Sequence, residues 1–510
     1  MKKMLRTSLA IAIALMSFSA MAQRYITDQF SAVTEYKNVV YDSNMAVNIV
    51  PPNNPPVYKA GLLCDVYEPE GDTETKRPLV IIMHTGSFLP AIINKQVTGN
   101  KADSAVVEMC RRFARKGYVA VAMNYRIGWN PTVTNADTAT AQLLQATYRG
   151  IQDAKNCVRY FRMNATGFKL DTSRIVLGGI GTGGYIALAY ASIDKQEELE
   201  LEKFRYSTDP YPPMVNSGLF GDWNGIGGIP QLNIPGDPFY GTKIHAAFHI
   251  GGAMGDISWM DGNEVPIFSI HCVLDPFAPY QYGNVIVPTT GVTVINQAAG
   301  GKAVQDTATY FSINAVIENR DYQDVFSARS KTINGGNEGL YPFILPARTP
   351  AFANEGSPWE WWDSTVMKQI NFPYAGAGQE AHNNSMFNNP DMSKEKAMKY
   401  IDTIQGFLAP RVVCALDLPG CPAKLSSIGK VNAEKVNVYP NPNKGSFQVQ
   451  LASEAIINHV EVYDINGKQI SILEGGSESV QVNMSGIATG VYIVKIYTEN
   501  SMGTARVVIE

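Results

Sequence analysis

The sequence predicts an α/β protein built on a mostly parallel sheet with insertions, followed by a small C-terminal all-β sandwich. Three observations carry this. From residue 24 to about 415, short apolar runs alternate with amphipathic helical stretches. Residues 416–433 are rich in Pro, Gly and Ser and read as a linker. From 434 to 510 the pattern becomes short alternating strands parted by NPNKG, NGK and GG turns. Across 510 residues, 45% are hydrophobic and 17% charged, which excludes disorder for the bulk of the chain. A net charge of −4 leaves no basic footprint for nucleic acid.

The elements can be taken in order. Lys2, Lys3 and Arg6 precede the apolar stretch Leu9 to Phe18, and Ala20-Met21-Ala22 lies before Gln23, so residues 1–22 read as a secretory signal peptide. The apolar stretch is too short to span a membrane, and no other is long enough. LVIIM (79–83) reads as a strand covered on both faces. A helix follows over about 102–116 and ends at Gly117. YVAVAM (118–123), a helix over about 142–164, RIVLGG (174–179) and the helix GGYIALAYAS (183–192) come next. HAAFHIGGA (245–253) and VPIFSIHCV (265–273) are further strands, and a last helix covers about 393–409. Such strand–helix alternation implies right-handed crossovers, with ligands beyond the carboxyl ends of the strands.

The residues just after three strands are informative. They are His84-Thr85-Gly86-Ser87-Phe88, Gly179-Ile180-Gly181-Thr182-Gly183-Gly184 and Asp275-Pro276-Phe277-Ala278-Pro279-Tyr280. With KGYVAVAMNYR and YRGIQDAKNCVRYFR, this layout over residues 60–410 resembles the secreted carboxylesterase/lipase branch of the α/β-hydrolases. The resemblance implies an HGGGF-type oxyanion loop, a G-x-S-x-G nucleophile elbow and an acid in the last segment. The serine position is Gly181, so the elbow shape is kept and the nucleophile lost. Thr182 is the neighbouring hydroxyl, but its amide, not its side chain, belongs to the oxyanion hole. The amides of Gly86, Ser87 and Thr182 are the expected oxyanion donors, with Thr85 where the loop's first Gly would be. Asp275 takes the acid position. His382 is the only histidine of this domain after Asp275, and the order nucleophile, acid, histidine selects it; it is expected in a polar loop. Serine at position 181 is expected to restore reactivity through His382.

Residues 195–243, beginning with the helix-like KQEELELEKF, and residues 284–365 read as insertions over the sheet. The second holds Trp359, Trp361 and Trp362, which either line a substrate-binding surface or pin the insertion to the core. Cys414 and Cys421 flank the turn ALDLPG and are the pair expected to form a disulfide in an exported protein; the other four cysteines read as buried thiols. No metal-ligand spacing is present, and no cofactor is implied.

YPNPNKGSF (439–447), YDINGK (463–468), GIATGVYIVKI (486–496) and ARVVIE (505–510) resemble the type-A C-terminal sorting domain of Bacteroidetes type IX secretion substrates. That resemblance implies the type IX machinery as partner through residues 434–510, passage across the outer membrane and a secreted or surface location. For the large domain three expectations stand. It is a carboxylesterase-like hydrolase of a small-molecule or polymer ester; or a non-catalytic ligand- or surface-binding relative; or an enzyme using Asp275 and His382 as a non-covalent general base.

Overall fold

The computed structural model describes residues 24–50, 56–349, 353–371, 374–425, 429–430, 436–451, 456–465, 468–498 and 501–510. The signal segment 1–22 and residues 426–428 and 431–433 of the linker lie outside the described residues. Two compact units divide the chain: one runs to Pro422 without 319–321, and the other comprises 423–510 with Asn319–Asp321. No helix among the described residues is long and apolar enough to cross a membrane.

The large unit is built on an eight-stranded sheet. Its strands are β1 (Val33–Val47), β2 (Val57–Pro69), β3 (Arg77–Met83), β4 (Val119–Met123), β5 (Leu170–Ile180), β6 (Ala246–Ile250), β7 (Ile267–Cys272) and β8 (Leu340–Phe343). Their order across the sheet is β1-β2-β4-β3-β5-β6-β7-β8. The hairpin β1–β2 joins antiparallel at one edge, and β4 through β8 run parallel. The run LVIIM feeds two cores at once: Leu79, Ile81 and Met83 face one side, and Val80 and Ile82 the other. Helices α1 (Ser104–Lys116) and α6 (Lys394–Ala415) cover the second side; α2 (Ala136–Met163) and α3 (Thr182–Ser192) cover the first. This is the both-faces-covered arrangement that a parallel sheet requires.

Several boundaries differ from the sequence reading. Helix α2 starts six residues early because the Asn135 side chain accepts from the Thr138 amide (2.9 Å) and caps it there. Helix α6 runs on through Pro410 to Ala415. KQEELELEKF forms two 3-10 turns, Gln196–Leu199 and Glu202–Phe204, and not an α-helix. There the Glu198 carboxylate turns back onto the Asp194 and Lys195 amides (2.8 and 3.0 Å) and closes the turn. The stretch 284–365 is not simply laid over the sheet, for it supplies edge strand β8, paired parallel with β7, and helix α4 (Gly301–Tyr310) crosses between them.

The C-terminal unit has a five-stranded and a three-stranded sheet around Phe447, Val449, Val460, Val462, Val494 and Ile496. Gly475 and Gly476, read as a turn, lie in strand Gln469–Ser477 beside a register shift at Ile457/His459. A bulge admits glycine where a side chain would meet the neighbouring strand, and a Cβ on Gly475 would sit 1.8 Å from the Ile457 carbonyl.

Beyond β4, Arg126 and Asp153 form a fully buried pair. The Arg126 amide and Nε donate to the two carboxylate oxygens at 2.7 and 2.8 Å. Asp153→Ala strands the guanidinium in the core and is expected to cost about 3–5 kcal/mol, measured by urea unfolding. A disulfide joins Cys414 to Cys421. Closing so short a loop stabilises by about 2–3 kcal/mol in the chain-entropy account, so Cys414→Ser/Cys421→Ser should lower the unfolding midpoint accordingly.

Candidate functional site

Adjacent parallel strands bring their following turns together at one edge of the sheet. After β5, Gly181 has φ 51° and ψ −116°, a region costly for any residue with a side chain. Its amide donates to the Ile250 carbonyl (2.8 Å), and its own carbonyl accepts from Gly184 and Tyr185 (2.9 and 3.1 Å). Thr182 then opens α3. This turn leans directly on the loop after β3. The Gly183 amide donates to the His84 carbonyl (3.1 Å), and a Cβ on Gly183 would lie 2.5 Å from the Met83 carbonyl.

Residues 84–88 form the second wall. Gly86, Ser87 and Phe88 all have positive φ (119°, 57° and 55°). The His84 ring is buried and stacks on Tyr125 with centroids 4.4 Å apart, and burial holds it down to about 4, so it is neutral. The Tyr125 hydroxyl donates to the His84 carbonyl and accepts from Thr182 Oγ1, both at 2.9 Å. The Thr182 hydroxyl is therefore engaged. Among the described residues, the amides of Gly86, Ser87 and Thr182 meet no acceptor. Three such donors beside the elbow have the makings of an oxyanion hole.

The space beside Gly181, the position read from the sequence as the nucleophile's, is occupied. A Cβ built on Gly181 would lie 2.2 Å from Thr85 Oγ1 and 3.0 Å from Thr85 Cβ. Glycine at 181 and the Thr85 side chain are thus sterically coupled. Serine at 181 can be seated only if Thr85 moves, so the expectation that it would complete the site alone meets a steric obstacle.

Asp275 follows β7, with its side chain only 4% exposed. Its Oδ1 accepts from the Phe277 and Ala278 amides (2.8 and 3.0 Å), and burial pushes the group up to about 7. Backbone closes over it: a Cβ on Gly356 would lie 2.9 Å from Cγ and from both oxygens. His271 Nε2 comes within 3.8 Å of Oδ2. That ring is no ionic partner, because its Nε2 donates to the Ala278 carbonyl, its Nδ1 accepts from Gly301, and burial holds it down to about 4.

His382 lies in helix α5 (Ala377–Asn388), not in a loop, because Ala377, Gln379, Glu380, Ala381 and Met386 outweigh the paired asparagines 383 and 384. Among the described residues no hydrogen bond or ion pair joins it to Asp275. Its Nδ1 instead accepts from Trp362 Nε1 (3.0 Å). In a working triad Nδ1 carries a hydrogen to the acid and leaves Nε2 to take the proton. Here the indole fixes the opposite tautomer, with the hydrogen on Nε2.

The three tryptophans are buried or half-buried. Trp359 is fully buried against Phe343 (6.1 Å), Trp361 packs partly buried on the same core, and Trp362 holds His382. The structure therefore brings together Gly181, Thr182 and the loop carrying Gly86 and Ser87, and gives Asp275 and His382 separate hydrogen-bond partners. The roles of Thr85, Tyr125 and Trp362 were not legible as such. The signal for Thr85 was its own departure from glycine in the loop.

A sharp glycine-bearing turn after β5 and this sheet order define the fold as α/β-hydrolase-like. Residues 64–288 match the BD-FAE family model, and residues 437–510 match the model described as a secretion system C-terminal sorting domain. The chain carries a BD-FAE-like esterase domain followed by a type IX secretion sorting domain, which directs it to secretion or surface display. Among solved structures it is similar to Thermogutta terrifontis esterase 2. The paraoxon-phosphorylated form is 15% identical over 70% of this chain and 93% of that one, with a TM-score of 0.33. The propionate-bound form is 14% identical over 68% and 91%, with a TM-score of 0.31. No curated protein matches the chain.

Trp362→Phe removes the donor that favours neutral His382. Its pKa, now below the ordinary histidine value through burial and nearby Lys368, should rise, and nitrogen NMR of the ring should show loss of the pure Nε2–H tautomer.

Proposed function

We propose that the protein is a secreted, esterase-like α/β-hydrolase relative that binds an acyl ligand without forming an acyl-enzyme. One observation carries the reading: Gly181 stands at the nucleophile position, and the Thr85 side chain fills the space its Cβ would need. The Nε2–H tautomer of His382 and the backbone cover over Asp275 support it. Losing the serine of a triad costs about 10⁶ in kcat in a well-studied hydrolase, and the residual rate comes from binding and the oxyanion hole. The general-base alternative would need Asp275 and His382 to act together, and nothing in their hydrogen bonding favours it.

Fluorophosphonate labelling with a p-nitrophenyl ester assay tests the proposal. The unaltered protein should neither label nor turn over ester above background. Gly181→Ser alone should remain silent and lose about 1–3 kcal/mol of stability from overpacking against Thr85. Thr85→Gly/Gly181→Ser should recover that stability. Labelling of the unaltered protein would mean that a nucleophile stands elsewhere in the site. Labelling of Gly181→Ser alone would mean that Thr85 yields and the rest of the machinery is intact.

A further inference from the structure

We infer that residues 355–362 are a strap that closes over Asp275 and His382 together and lifts as one piece as the pH rises. At its start the Glu355 carboxylate, only 6% exposed, accepts from Arg348 Nη2 (2.8 Å) and Lys396 Nζ (2.6 Å). Gly356 lies on the Asp275 carboxyl, where a Cβ would come within 2.9 Å of its atoms. Trp359 is buried against Phe343, and Glu360 takes a hydrogen bond from the Thr98 side chain. Trp362 ends the run on His382 Nδ1. One short run of chain thus touches both side chains.

Side chains hold this run in place, not main chain. Among the described residues its backbone makes a single backbone–backbone hydrogen bond, from the Glu360 amide to the Ser357 carbonyl (3.2 Å), and that bond is internal. The Asn389 side chain adds one bond to the Glu360 carbonyl (3.2 Å). A segment without a ladder to its neighbours opens more readily than the strands beneath it. Pro358 stiffens it, so its two ends move together.

Lifting is coupled to protons. Asp275 beneath Gly356 and Glu360 within the strap are both pushed up to about 7 by burial. Around Asp275 stand His271 and Cys272 of its own segment and Tyr185 of α3. Opposite Glu360 stands Asp103, buried ahead of α1 and itself pushed up. Among the described residues no lysine or arginine bears on either carboxyl. The closed strap therefore keeps them protonated. When it lifts, water reaches them and they return toward the ordinary carboxylate value of about 4. The closed form binds more protons, so rising pH favours lifting between about 4 and about 7. Above that window both forms are ionised and the dependence ends. Burial of Trp359 opposes lifting, so the lifted form is a minority whose population must be counted. Position 181 lacks a nucleophile with the strap down or lifted, so the function proposed above does not enter.

Cys272 can count it. This thiol ends β7 just before Asp275 and lies within electrostatic range of Glu355. Cys64, Cys110 and Cys157, on β2, α1 and α2, are buried references. The full chain is treated with dithiodipyridine, and peptide mapping gives the Cys272 rate relative to the references, a ratio that cancels the thiolate chemistry common to all. The ratio should rise about ten-fold or more from about pH 5 to about pH 8. Asp275→Asn/Glu360→Gln mimics the protonated pair and should remove most of that rise. Coupling is read by altering one end of the strap and observing the other. Trp362→Phe should speed Cys272 labelling about five-fold, and Glu355→Gln should shift the nitrogen spectrum of His382 away from the Nε2–H tautomer. The pH series uses the unaltered protein, so it stands even if a variant fails to fold. A flat ratio, an undiminished rise in the double variant, or one end unmoved by change at the other would each overturn the inference.

Discussion

The site depends on one close approach of two backbones. Strands β3 and β5 are neighbours in register, with Met83 opposite Gly179, so the turns that follow them must share one small volume. Gly179 and Gly183 permit it: a Cβ on Gly179 would lie 2.1 Å from the Gly183 carbonyl carbon, and the Gly183 amide bonds the His84 carbonyl. Once the backbones are this close, the volume between them admits one side chain. Beside Gly181 that place is filled by the Thr85 side chain of the loop. Tyr125 fixes the arrangement from behind, bonded to both turns, and the buried Arg126–Asp153 pair anchors the residue next to it.

The three positions that the sequence reading marks as a triad have three different surroundings. At 181 the side chain is absent, at 275 the carboxyl is sealed beneath glycine backbone, and at 382 the imidazole is held in the opposite tautomer by an indole. Only the first is a change of residue type. The others leave the expected Asp and His in place and alter their surroundings, because a side chain's chemistry is set by its neighbours as much as by its identity.

That contrast explains what the sequence could convey. Continuous apolar runs such as LVIIM, and helices with one buried face, specify the α/β sheet through local periodicity, which a single chain displays openly. The glycines of the elbow and the loop were legible because close approach demands that residue type. Trp362 beside His382 and Gly356 over Asp275 depend on segments 20 and 81 residues distant in the chain, and no local pattern announces them. The helix bearing His382 reads as a loop because its residues are mostly polar, and strand β8 escapes notice because four residues inside a long irregular stretch carry little periodicity.

The disulfide at the end of α6 bears on how the chain can be divided. Its two sulfurs span residues 415–420, and Cys421 stands just before the boundary between the two compact units. A protease that nicks the backbone anywhere within that span leaves the two fragments covalently tied. Near this boundary only a cut beyond Cys421 releases the large unit from the sorting domain, so the crosslink rules out the first part of the linker as a point of separation.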